Sequence, residues 1–158
     1  MEPYIHDGVT RAASWRLLAL LCTVVVVLTA CGLKTVRVSG DAMAPTLKDG
    51  DIRTVDTSAY STATPRRGDI VAYHTNRLGR VIGLPGETIA ISGGSVAVNG
   101  AVLNEPYLAP GTQTTAPQDH YVVPSGSYFI LNDNRAHVGG DSRTLGFVPL
   151  SDIQGRIG

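Results

Sequence analysis

The chain has 158 residues, with 13 Lys plus Arg against 13 Asp plus Glu and a formal net charge of zero. That length suits one domain with an anchor, and the neutral balance offers no basic stripe for nucleic acid. Its two cysteines, Cys22 and Cys31, lie in or at the edge of an apolar run, so the rest of the chain has neither an internal disulfide nor a cysteine-based metal site. No cofactor is expected. The 18 Gly and 9 Pro beside few aromatics fit many short strands joined by turns.

Residues 1–16 read as a cytoplasmic N-terminal segment that contains Arg11 and Arg16. Residues 17–33 come next, without a charge and dominated by Leu and Val. As a helix they would rise about 25 Å, a little short of a hydrocarbon core of about 30 Å. Arginines in a short flanking segment stay in the cytoplasm, which puts the N-terminus inside and residues 34–158 on the extracytoplasmic face. Lys34 and Arg37 beyond the run weaken that bias. A second reading competes for the same segment. Leu28-Thr29-Ala30-Cys31 resembles a bacterial lipobox, in which Cys31 would be lipidated and the preceding peptide removed. The transmembrane span is the preferred reading. Both readings set the domain against the outer face of the lipid bilayer.

Beyond the run, Thr35 to Val38 alternates polar and apolar residues as a half-buried strand does. Pro45 and the Asp49-Gly50-Asp51 turn bend the chain before a second strand, Ile52 to Val55. Strands are expected at Asp69 to Tyr73 and Arg80 to Ile82. Thr88 to Ile91 and Ser95 to Val98 flank Gly93-Gly94, a hairpin signal, and a further turn falls at Asn99-Gly100. Ala109 to Asp119 is a long polar loop. Tyr121 to Val123, Ser127 to Leu131 and Phe147 to Val148 complete the set. No segment after Leu33 has helical periodicity, a turn around Met43 to Leu47 aside. The expected fold class is an all-β domain of short, mixed strands.

Ser39-Gly40-Asp41-Ala42-Met43-Ala44-Pro45-Thr46-Leu47 resembles the S-G-x-S-M-x-P-T-L box of signal peptidase I, a membrane-bound serine–lysine protease. Gly79-Arg80-Val81-Ile82-Gly83-Leu84-Pro85-Gly86-Glu87 resembles its K-R-V-x-G-L-P-G-[DE] motif. Asn132-Asp133-Asn134-Arg135 with Asp141-Ser142-Arg143 resembles G-D-N-R followed by S-x-D-S-R, with one extra residue between them. Further matches are Arg67-Gly68-Asp69-Ile70-Val71, Val98-Asn99-Gly100, Glu105-Pro106-Tyr107-Leu108, Val123 to Phe129 and Gly146-Phe147-Val148-Pro149 with Ile153 to Arg156. The resemblance spans Val36 to Ile157 and implies a β-fold of the kind that LexA-type repressors also carry. A repressor needs a DNA-binding segment where this chain has its apolar run.

The resemblance also implies what is missing. The family's nucleophilic serine falls on Ala42, and a methyl group cannot attack a carbonyl. Its general-base lysine falls on Gly79. The serine that orients that lysine falls on Gly139. An inactive relative is therefore expected, a pseudoenzyme that binds exported precursor or signal-peptide segments or assists an active signal peptidase. Ala42→Ser with Gly79→Lys is expected to restore cleavage if the groove survives. The resemblance implies a substrate groove of Val38, Met43, Leu47 and Leu78, which equally suit a core beneath a vestigial site. Arg77 departs from the apolar or aromatic residue usual at its position. Arg80, Asp133, Arg135, Asp141 and Arg143 are expected to support the site structurally.

Relocated chemistry is the alternative. The two lysines, Lys34 and Lys48, read as solvated, and arginine stays protonated. His74 reads as a surface histidine. His137, with Ser142 as nucleophile, is the more interesting pair, and would make the chain an active serine endopeptidase. Ser39 lies three residues before Ala42, which on an extended strand points it to the opposite face. A lipidated extracytoplasmic binding module is the third reading.

Overall fold

The computed structural model describes residues 32–158. The N-terminal segment, Cys31 and all of the proposed span except Gly32 and Leu33 lie outside the described residues. Among the described residues no helix is long and apolar enough to cross a membrane.

Among the described residues, eleven strands form two sheets. In chain order they are β1 Leu33–Arg37, β2 Ile52–Asp56, β3 Ile70–Tyr73, β4 Arg77–Gly83, β5 Thr88–Ser92, β6 Ser95–Val98, β7 Ala101–Val102, β8 His120–Val122, β9 Ser127–Leu131, β10 Val148–Pro149 and β11 Ile153–Ile157. The larger sheet runs β1-β2-β11-β3-β4-β9-β10 and the smaller β7-β6-β5-β8. The pairings from β2 through β10 of the larger sheet are antiparallel, as are those of the smaller. The all-β class stands.

Successive side chains on a strand point to opposite faces, and β9 is apolar at both. Phe129 and Leu131 join Ile82 of β4, Ile89 and Ile91 of β5, and Val96 and Val98 of β6 in one buried cluster between the sheets. Tyr128 and Ile130 join Val71 and Tyr73 of β3 and Val81 of β4 in a second cluster on the other face. Each fully buried Val, Ile or Phe contributes about 1.5–3 kcal/mol, so this one strand ties both cores together. Two-residue turns set the register of the smaller sheet. Gly93 and Gly94, with φ of 57° and 81°, close β5 onto β6, and Asn99 and Gly100, with φ of 50° and 84°, close β6 onto β7. Two positive-φ residues in a row give the tight hairpin twist that matches the strands.

The structure adds elements that the sequence pattern did not suggest. Strand β11 lies at the heart of the larger sheet, between β2 and β3, although Ile-Gln-Gly-Arg-Ile has a glycine at its centre. That glycine is required by close approach: a Cβ on Gly155 would meet the carbonyl oxygen of Asp56 and lie 2.8 Å from its carbonyl carbon. Strand β4 also starts three residues earlier than expected, because Asn76 turns the chain at φ 67° soon after β3. A four-residue helix, α1 (Ser142–Leu145), is capped by Asp141, whose carboxylate accepts from the Arg143 amide.

Gly155→Ala should therefore push β11 from β2. The expected loss is about 1–3 kcal/mol, the cost of overpacking a close-packed site, read as a lowered denaturation midpoint with unchanged slope. An unchanged midpoint would show that the sheet absorbs the methyl group.

Candidate functional site

A groove of about 510 Å³ is lined by the end of β1, the loop from Val38 to Met43, the first residues of β4 and the loop after β9. Ala42 lies on this wall. Its carbonyl accepts the Asn134 amide at 2.9 Å, which ties the first motif to the third. The chain leaves β1 after Arg37, and Gly40 turns it at φ 81°. As a result Ser39 and Ala42 line the same groove. The opposite-face expectation for Ser39 fails, because it assumed a strand that continues past Val38.

Val38, Met43 and Leu78 line the groove, whereas Leu47 lies behind it. Val38, Met43 and Leu47 are all buried and pack as one cluster against Ile70 and Leu78. The apolar wall of the groove is thus also the outer layer of a small core.

Position 79 is already full. Gly79 and Val81 share a face of β4 with Tyr73 and Ile130. A Cβ on Gly79 would lie 2.5 Å from Ile130 Cγ2, 3.1 Å from Tyr73 Cε1 and 3.3 Å from the Tyr73 hydroxyl. That hydroxyl donates to the Gly140 carbonyl at 2.8 Å. Burial pushes the Tyr73 phenol up, the Asp141 carboxylate adds to the shift, and Arg77 partly opposes it. Tyr73 therefore stays neutral and acts as a fixed donor, bracing β3 against the third motif.

The charged residues expected to support the site are gathered by the loop after β9. Asp133 receives Arg80 through Nε at 2.8 Å and Nη2 at 2.6 Å, and also accepts from Thr46 Oγ1 at 2.5 Å. The Arg80 guanidinium sits 3.9 Å over the Tyr107 ring and donates to the Gly68 carbonyl. Burial lowers its pKa, but the hydrogen bonds and charge of Asp133 outweigh that, and the net shift is upward. Arg143 pairs with Asp141 at 2.6 Å and donates to the carbonyls of Arg135, Thr115 and His137. Arg135 is 1% exposed and pairs with Glu105 at 2.5 Å, and its Nη1 donates to Thr114 Oγ1. The motifs single out the arginines but assign no role to Glu105, Thr114 or Tyr73. Glu105 belongs to the Glu105-Pro106-Tyr107-Leu108 match, so a signal for it existed. Thr114 belongs to a loop whose composition is merely polar.

Among the described residues, His137 and Ser142 are not hydrogen-bonded to each other. Ser142 is 1% exposed and its hydroxyl accepts the Ile130 amide at 2.9 Å. His137 Nδ1 instead lies 3.4 Å from Asp41 Oδ1 at the groove. His74 stands 3.3 Å from Asp152, and Lys34 and Lys48 are exposed.

The sequence pattern of the family described as "Signal peptidase, peptidase S26" matches residues 11–158. Signal peptidase I of Leptolyngbya laminosa is 36% identical over 133 residues, covering 75% of this chain and 64% of that protein. The chain thus spans less than two thirds of that relative's length. Signal peptidase I of Bacillus caldolyticus is 36% identical over 136 residues, 76% of this chain and 74% of the relative. The crystal structure of a signal peptidase I from Enterococcus faecalis V583 is 32% identical with a TM-score of 0.51, covering 59% of this chain and 96% of that one.

The crowding at position 79 bears on any lysine placed there. Gly79→Lys is expected to destabilise the chain by about 1–3 kcal/mol through overpacking. Tyr73→Ala should cost less beside it than alone, a coupling that a double-mutant cycle in denaturant measures. Strictly additive costs would mean that a lysine finds room without displacing the ring.

Proposed function

This chain belongs to the S26 signal peptidase family, and from that premise we propose that it is a membrane-tethered member that binds exported precursor segments without cleaving them. One observation carries the reading: Ala42 stands at the nucleophile position while Tyr73 and Ile130 fill the volume beside Gly79 where a base would project. A serine hydroxyl needs a base to become a nucleophile, and here neither partner of that exchange is present. Donor groups and binding alone retain about 10³–10⁴-fold acceleration over water, far below useful turnover for a peptide bond.

The groove itself remains. Its apolar wall of Val38, Met43 and Leu78 suits the small residues that precede a cleavage site, and Asn134 holds the wall in place through Ala42. Residues 17–33 are proposed as a single span with the N-terminus inside. The family match begins at residue 11, ahead of the apolar run, which supports treating that run as part of the inherited pattern. The proposed partners are precursor segments, an active signal peptidase and the bilayer. The relocated His137–Ser142 chemistry draws no support from a Ser142 hydroxyl buried against the Ile130 amide.

Purified full-length chain in detergent, incubated with a precursor bearing an Ala-x-Ala site, should leave the precursor intact while retaining it in a pull-down. Cleavage that disappears in His137→Ala or Ser142→Ala would instead establish the relocated site. The intact mass of the purified chain should include residues 1–16. A mature N-terminus at a lipid-modified Cys31 would replace the span with a lipid anchor.

A further inference from the structure

The groove has a cation in place of the missing lysine, but one that cannot give up its proton. Arg77 lies two residues before Gly79 on β4 and therefore on the same face. Its guanidinium lies across Gly140: a Cβ there would meet Arg77 Nη1 and lie 3.2 Å from its Cζ, a space open only because residue 140 is a glycine at φ 89°. The Gly140 carbonyl holds the Tyr73 hydroxyl at 2.8 Å, and that hydroxyl borders the empty Cβ position of Gly79 at 3.3 Å. Arg77, Gly140, Tyr73 and Gly79 thus form one continuous patch. Of these, Arg77 and Gly140 line the groove.

Among the described residues, no carboxylate pairs with Arg77. Among the described residues that line the groove, the one acidic side chain is Asp41, and it is engaged by Asn134 Nδ2 at 3.2 Å and by His137 Nδ1 at 3.4 Å. Ala42 also lines the groove, and among the described residues its amide donates to no partner. A guanidinium stays protonated and so is useless as a base. It presents a planar fork of donors that matches a carboxylate.

We propose that this groove is a receptor for the free C-terminal carboxylate of an extended peptide ending in small apolar residues, with Arg77 as the anion-binding residue. Val38, Met43 and Leu78 take the last side chains, and Arg77 with the Ala42 amide takes the terminal oxygens. The ligand is the kind of product that an endopeptidase releases, so the step that supplies it is hydrolysis of a precursor by another enzyme. The proposal rests on the proposed function, in which the groove binds such segments and does not cut them.

The test uses full-length protein in nanodiscs and three fluorescent peptides with the same Ala-x-Ala sequence: a free acid, a C-terminal amide, and one that continues through the site. Anisotropy at low salt should show the acid binding about tenfold more tightly than the other two. Arg77→Gln should abolish that preference, and Arg77→Lys should retain part of it. High salt should weaken it, since the groove is open to solvent. Far-UV circular dichroism of each variant checks that the exposed substitution leaves the fold intact. Equal affinity for all three peptides would overturn the carboxylate proposal and leave the binding function standing. Failure of all three to bind would overturn both, and a preference that survives Arg77→Gln would remove Arg77 from the site.

Discussion

A buried guanidinium must be satisfied by hydrogen bonds or carry a desolvation penalty of several kcal/mol. Three such groups, on Arg80, Arg135 and Arg143, determine the shape of the loop after β9. Each has a carboxylate opposite it, and each carboxylate comes from a different place in the chain: Asp133 in the loop itself, Glu105 from the segment after β7, and Asp141 at the helix cap. Several remaining donors go to carbonyls of the same loop, so the pairs share a single network. Removing one carboxylate would leave its own arginine buried without a counter-charge. The cost of that failure is independent of any chemistry in the groove.

That independence means that the framework does not rest on the residues at 42 and 79. Ala42 and Gly79 belong to elements held by this network, by the paired strands and by the apolar clusters. Neither residue contributes a hydrogen-bonding side chain to them. The scaffold therefore needs neither a hydroxyl at 42 nor an amine at 79 for its support. The glycine at 79 leaves a volume on one face of β4, and a buried interior does not tolerate an unfilled space cheaply. Tyr73 occupies that volume and satisfies its own hydroxyl on Gly140. The phenol links β3 to the third motif.

The groove also carries a charge of its own. A lysine base works only when burial lets it lose its proton. Arg77 holds its charge at the groove surface instead, where the missing Cβ of Gly140 leaves it room. On the proposed reading, a groove that holds an anion stands where the family pattern has one that activates a nucleophile.

Much was legible in the order of residues. Alternation and turn chemistry located nearly every strand, because period-2 patterning and Gly or Asn turns are local properties. The motif series assigned the family, and the chemistry of a methyl group and a hydrogen atom at 42 and 79 comes from covalent identity alone. What the chain order could not reveal was occupancy. Strand β11 pairs in the centre of a sheet although its glycine argues against a strand, because that glycine is where two backbones meet. Tyr73 precedes Gly79 by six residues, and only the β3–β4 register puts its ring over that glycine. Glu105 reaches Arg135 across thirty residues. Residue identities set which reactions are chemically available, whereas the packing of distant strands decides which space is left for them.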